Sequence, residues 1–174
     1  MTKALDQYII QFSGLSVGKH AFDFQADEQF FAAIEGTMIE NGQLQIGLEL
    51  EKTTQFMNFQ FNISGTVEVA CDRCAINWQY PLDIQPRLIL RFAENPIEDA
   101  DPDIIYISRS EYQFNISHHL YEYIATSLPF HIVPCEISGN QALCDQQTLA
   151  RLNNHQGDST SEGSDPRWDA LKNL

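Results

Sequence analysis

A strict alternation of apolar and polar residues is the feature that most limits what this chain can fold into. Leu44, Ile46, Leu48 and Leu50 alternate with Gln43, Gln45, Gly47 and Glu49, and Phe59, Phe61 and Ile63 repeat the pattern. Period-two alternation sends successive side chains to opposite faces of a strand, so these segments specify a sheet with one buried and one wet face. Trp78, Tyr80 and Leu82 continue the pattern, as do Leu88, Leu90 and Phe92, and residues 104–107 suit one more strand. Asn41-Gly42, between Met38 and the first run, is the strongest hairpin signal in the chain, because both residues tolerate the positive φ of a tight turn. Residues 8–12 and 20–24 read as an opening hairpin around Ser13-Gly14 and Val17-Gly18.

Two stretches change to helical spacing. Residues 27–34 begin with acids suited to a helix N-terminus and carry Phe30, Phe31 and Ile34 on one side. Residues 115–126 follow Asn115 or Ser117 as a cap, show Ile116, Leu120, Tyr123, Ile124 and Ser127 as a stripe, and stop at Leu128-Pro129. Residues 94–103, with five acids and two prolines, are expected to form a solvated loop, and residues 146–152 a short helix. The expected fold is α+β: a single domain with a mainly antiparallel β-sheet, a few flanking helices and a short C-terminal helix. In this reading the domain spans 1–152, residues 153–164 are a flexible polar linker, and 165–174 are a docking helix. Pro166 suits the first position of that helix and Trp168, Leu171 and Leu174 share its apolar face, which is expected to dock on the chain's own domain.

The chemistry that stands out lies at the end of a strand-like run, Val67-Glu68-Val69-Ala70-Cys71-Asp72-Arg73-Cys74. Two thiols separated by two residues converge on one point, as a tetrahedral metal site or a redox pair requires. Cys135 and Cys144 complete a candidate four-thiolate site, although eight residues lie between them, and His131 is a candidate substitute ligand. A closed site of this kind takes one structural zinc ion and leaves no open position for substrate. The alternative is a thiol-based redox or zinc-dependent enzyme using Cys71 and Cys74. Thioredoxin-like chemistry, however, wants such a pair at a helix N-terminus, and here polar, strand-like residues follow. No phosphate loop or Glu-x-x-His context is present, so the expectation is a protein that is not an enzyme.

Charge narrows the partners. Twenty-four Asp and Glu against ten Lys and Arg give a net charge of −14, which repels phosphate backbones and anionic membranes and favours basic proteins. The N-terminus has no long apolar run and no window approaches the roughly 18 apolar residues of a membrane helix, which suggests a cytoplasmic chain. Without a signal peptide, four cysteines read as reduced thiols or metal ligands.

Four blocks carry a family resemblance: Gly65-Thr66-Val67-Glu68-Val69-Ala70-Cys71-Asp72-Arg73-Cys74, then Leu128-Pro129, then Leu143-Cys144-Asp145, and finally Asp165-Pro166-Arg167-Trp168-Asp169-Ala170-Leu171. In this order they resemble the YceD family of large-ribosomal-RNA-accumulation proteins. The resemblance implies a bacterial cytosolic protein that supports synthesis, processing or stability of 23S ribosomal RNA. It also implies a second cysteine cluster after the Leu-Pro, which maps to Cys135 and Cys144; the further cysteines that many members carry near the tail are missing here. An acidic chain is a poor fit for an RNA grip, so the expected partner is a basic ribosomal protein or assembly factor, with direct rRNA contact as the rival. Arg73, Arg167 and Trp168 are candidate partner contacts, and Arg73, Arg87 and Arg91 a candidate local basic spot.

Overall fold

The computed structural model describes residues 3–93 and 104–155. These fall into two compact units. The first runs to Ala70 and resumes from Asn77 to Ile132; the second combines Cys71–Ile76 with the chain from Val133 onward.

The first unit is built on a six-stranded sheet. Its members are β2 (Gly18–Ala26), β3 (Asn41–Lys52), β4 (Phe56–Ala70), β5 (Asn77–Ile84), β6 (Arg87–Ala93) and β7 (Ile104–Ser108). The order is β2-β3-β4-β6-β7, with β5 also on β4. One strand serves two neighbours because its length is divided: Phe56–Gln60 pair with β6 and Ile63–Ala70 pair with β5. All ladders in this sheet are antiparallel except β6 with β7, which is parallel. Gly65 in β4 has φ +142°, and a Cβ there would run into the Gln43 carbonyl oxygen, so glycine is required where β3 presses against the bend.

The alternation sorts the faces as the sequence implies. Leu44, Ile46, Leu48 and Leu50 of β3 and Met57, Phe59, Phe61 and Ile63 of β4 are buried, while Gln43, Gln45, Gln60 and Asn62 are exposed. The buried face belongs to one apolar cluster that includes helices α1 (Glu28–Ala33) and α2 (Ser117–Ser127) through Phe30, Phe31, Leu120 and Ile124. Aromatic pairs fix this packing: Tyr8 meets Phe30 edge-on at 5.0 Å and Phe61 meets Tyr123 at 6.0 Å. Asp27 caps α1 by accepting from the Gln29 and Phe30 amides. At α2 the N-cap is Ile116, which offers no side-chain cap, so neither Asn115 nor Ser117 holds that position; Asn115, one residue ahead, accepts from the Ser117 amide at 2.9 Å. The fold is α+β with a mainly antiparallel sheet, as expected.

Two local expectations fail. Asn41-Gly42 is not a turn: both residues lie in β3, opposite Glu68 and Val67. Gly42 is needed there because a Cβ would sit 2.8 Å from the buried Phe31 ring. Nor do residues 8–12 and 20–24 form a hairpin. Lys3–Tyr8 form a 3₁₀ turn, β1 (Ile9–Ile10) pairs with β8 (Phe114–Asn115), and β2 pairs with β3. The Tyr8 hydroxyl donates to the Gln25 carbonyl, and Lys52 Nζ donates to the carbonyls of Phe12 and Leu15 at 2.7 Å each. These contacts, distant in sequence, outweigh the local turn preference.

The second unit contains no strand among its described residues. It comprises the Cys71–Ile76 loop, α3 (Pro134–Ile137), a 3₁₀ turn at Gln141–Leu143 and α4 (Gln146–His155). Helix α4 extends past the expected 146–152 into the stretch read as linker. The acidic 94–103 segment, the rest of the expected linker and the expected 165–174 helix with Arg167 and Trp168 lie outside the described residues. Among the described residues, no helix is long and apolar enough to cross a membrane.

Candidate metal centre

Strand β4 delivers Cys71 and Cys74 to the connection with β5, and within this loop the backbone closes on itself. The Ala75 amide donates to the Cys71 carbonyl and the Cys71 amide to the Ile76 carbonyl, both at 2.9 Å. This closure forces Ala75 to φ +57°, the one non-glycine positive φ among the described residues. An L-residue in that region carries a steric cost of roughly 1–2 kcal/mol, so the loop shape is imposed against local preference.

What the turn achieves is a set of amides aimed at sulfur. The backbone N–H groups of Arg73, at 3.4 Å, and Cys74 donate to Cys71 Sγ. Those of Ile76 and Asp145 donate to Cys74 Sγ, and that of Cys135 to Cys144 Sγ. Amides directed at thiol sulfurs favour the thiolate, the form that binds metal. The Ile76 and Asp145 amides accordingly hold the Cys74 thiol below its ordinary range, whereas burial pushes Cys71 up. Cys144 is also pushed up, first by its hydrogen bond with the Cys135 side chain and then by burial.

Cys144 is placed by α4. Asp145 caps that helix, accepting from the Gln147 and Thr148 amides at 3.1 and 3.2 Å and from the Thr148 hydroxyl. Cys135 sits in the first turn of α3, behind the buried Pro134. All four cysteines are reduced and buried, and with Val133 and the partly buried Leu149 they form the apolar cluster of this unit.

The thiols of Cys71, Cys74 and Cys144 lie within 4.8 Å of one another. A tetrahedral ion with metal–sulfur bonds of about 2.3 Å needs neighbouring sulfurs about 3.8 Å apart, so these three require little movement. Cys135 lies outside the trio but is joined to it by the Cys144 contact. His131 is exposed and is not part of the converging group. The donor set is soft and sulfur-rich, the chemistry that selects zinc over magnesium or calcium.

Arg73, expected at a partner surface, directs its guanidinium into this cluster. Nη2 lies 2.7 Å from Cys135 Sγ and 4.0 Å from Cys144 Sγ, and Nη1 lies 3.0 Å from Glu136 Oε1. The side chain remains 36% exposed, so solvent also reaches it. Arg87 and Arg91 pair with Gln60 and Phe56, in the half of β4 remote from Ala70. Sequence reading missed the thiol contacts of Arg73 and the part played by Glu136; an arginine between two cysteines was the available signal.

The model of the family described as large ribosomal RNA subunit accumulation protein YceD matches residues 59–174. The chain belongs to the YceD family. The matched region begins within β4 and contains all four cysteines, Arg73, Glu136 and the whole second unit, while β1 to β3 precede it. The description of YceD gives a role in accumulation of large-subunit ribosomal RNA. No curated protein and no solved structure matched the chain.

Proposed function

We propose that this YceD protein supports accumulation of 23S rRNA in the cytoplasm by holding a basic ribosomal protein or assembly factor, without a catalytic step. The observation that carries the partner class is the net charge of −14, with Asp23, Glu49, Glu51 and Asp83 exposed on the sheet. Such a field attracts cationic polypeptides and opposes broad contact with phosphate. Arg167 and Trp168 of the tail contribute partner contacts in this reading. Binding of the full chain to purified large-subunit ribosomal proteins should be strong at low salt and fall steeply as salt rises, with no binding to naked rRNA. Selective binding to naked rRNA would replace the proposal with direct RNA contact.

The cysteine centre enters as a structural clasp: one zinc ion on Cys71, Cys74, Cys144 and Cys135, with every coordination position filled by sulfur. The closed Cys71–Ile76 loop, the amides aimed at sulfur and the burial of four reduced thiols support it. Protein purified under reducing conditions without added zinc should contain about one zinc per chain. Its thiols should titrate only after a chelator is added. Metal-free protein with freely titrating thiols would return Cys71 and Cys74 to the redox alternative.

A further inference from the structure

The arginine inside the cysteine cluster has more to do than contact a partner. A zinc ion bound by four thiolates carries a net charge of −2, and the surrounding residues decide how reactive its sulfurs remain. Backbone amides donate to Cys71, Cys74 and Cys144. At Cys135 a side chain donates, the Arg73 guanidinium, 2.7 Å from the sulfur and also 4.0 Å from Cys144 Sγ. The other terminal nitrogen is held by Glu136, one residue after Cys135.

We infer that Arg73 is the charge-balancing partner of the metal-bound thiolates, hydrogen-bonding Cys135 and Cys144 from outside the coordination sphere and shielding Cys135 from electrophiles. The inference rests on the zinc reading above. Arginine suits the task better than lysine because its planar fork serves two partners in fixed directions and stays charged at any pH the protein meets. Glu136 orients the fork, and because its side chain is 58% exposed its own charge is partly screened by water. Of the four sulfurs Cys135 stands outside the preorganised trio, so it is the ligand that closes the site and the first that an electrophile detaches.

The experiment compares wild type, Arg73→Met, Arg73→Lys and Glu136→Gln, each loaded with cobalt(II) as a spectroscopic substitute and separately with zinc. All should bind one equivalent with the visible bands of tetrahedral four-sulfur coordination. In Arg73→Met the sulfur-to-cobalt charge-transfer band should move to lower energy, because sulfurs that lose a hydrogen bond give up electrons more readily. Iodoacetamide should release zinc from this variant about tenfold faster, in line with losses of outer hydrogen-bonding partners elsewhere, with Cys135 alkylated first by mass spectrometry. Arg73→Lys should fall between the two, and Glu136→Gln should shift both readouts in the same direction by less. If Arg73→Met does not fold, the Lys and Gln variants carry the test. Unchanged charge-transfer energy and unchanged release rate in the folded variants would overturn the role of Arg73 while leaving the zinc site intact. Failure of the wild type to take up either metal would instead overturn the zinc reading beneath it.

Discussion

Ala75 shows how much the cysteine loop demands of a single residue. Its φ of +57° is a conformation that glycine enters freely and an L-residue does not, yet the two hydrogen bonds between Cys71 and Ala75–Ile76 require it. Ala75→Gly removes a steric cost of roughly 1–2 kcal/mol. It adds back about 0.4–1 kcal/mol through the greater freedom of the unfolded chain. The balance favours the variant by about 0.5–1 kcal/mol, to be read as a higher denaturant midpoint for the unit holding Cys71–Ile76, followed by tryptophan-independent probes such as far-UV signal or proteolysis. Ala75→Val, with a branched Cβ, should move the midpoint the other way. An unchanged midpoint in both would mean that the loop relaxes its turn without loss.

At the level of the elements, the same dipeptide separates what a sequence states from what a fold decides. Asn-Gly before an alternating run reads as a turn because both residues accept positive φ, but Gly42 is in β3 and its lack of a side chain makes room for Phe31. Gly42→Ala should therefore destabilise through crowding, by about 1–3 kcal/mol. In a double-mutant cycle, Phe31→Leu should absorb part of that loss, since the clash is with the ring edge; strictly additive losses would contradict the packing account. The strands themselves were legible because one wet face and one dry face write period two into β3, β4, β5 and β6. Helix α1 was legible from its stripe and cap, and α2 from its stripe. No opening hairpin forms because the partner of Ile9 is Asn115, and such a distant pairing leaves no local signature in the sequence. The site divides the same way. Cys71 and Cys74 announce themselves by spacing, whereas Cys135 and Cys144 are brought near each other by α3, the Gln141–Leu143 turn and the Asp145 cap, which no ligand spacing records.

For the molecule as a whole, the two units rest on different kinds of core. The first buries a large aromatic and aliphatic cluster in which Tyr8, Phe30, Phe31, Phe59, Leu50 and Leu90 are almost wholly withdrawn from water. Burial on that scale stabilises a sheet without help from a ligand, since each fully buried large side chain contributes roughly 1.5–3 kcal/mol. The described part of the second unit has Val133, Leu149 and the four thiols as its apolar cluster, far too little to offset the ordering of its backbone. If zinc supplies the difference, folding of this unit and metal binding are one equilibrium. Chelator should then abolish hydrogen-exchange protection of the backbone amides in Cys71–Ile76, α3 and α4 while those of β3 and the first half of β4 keep theirs. Adding back one equivalent of zinc should restore the lost set. Loss of protection across both units would show that the metal holds the entire chain together, and retention in both would show that the thiol cluster is stable without an ion. The first pattern carries a consequence for binding. A partner that remains bound after chelation is held by the acidic sheet, whereas one that leaves with the zinc is held by the second unit.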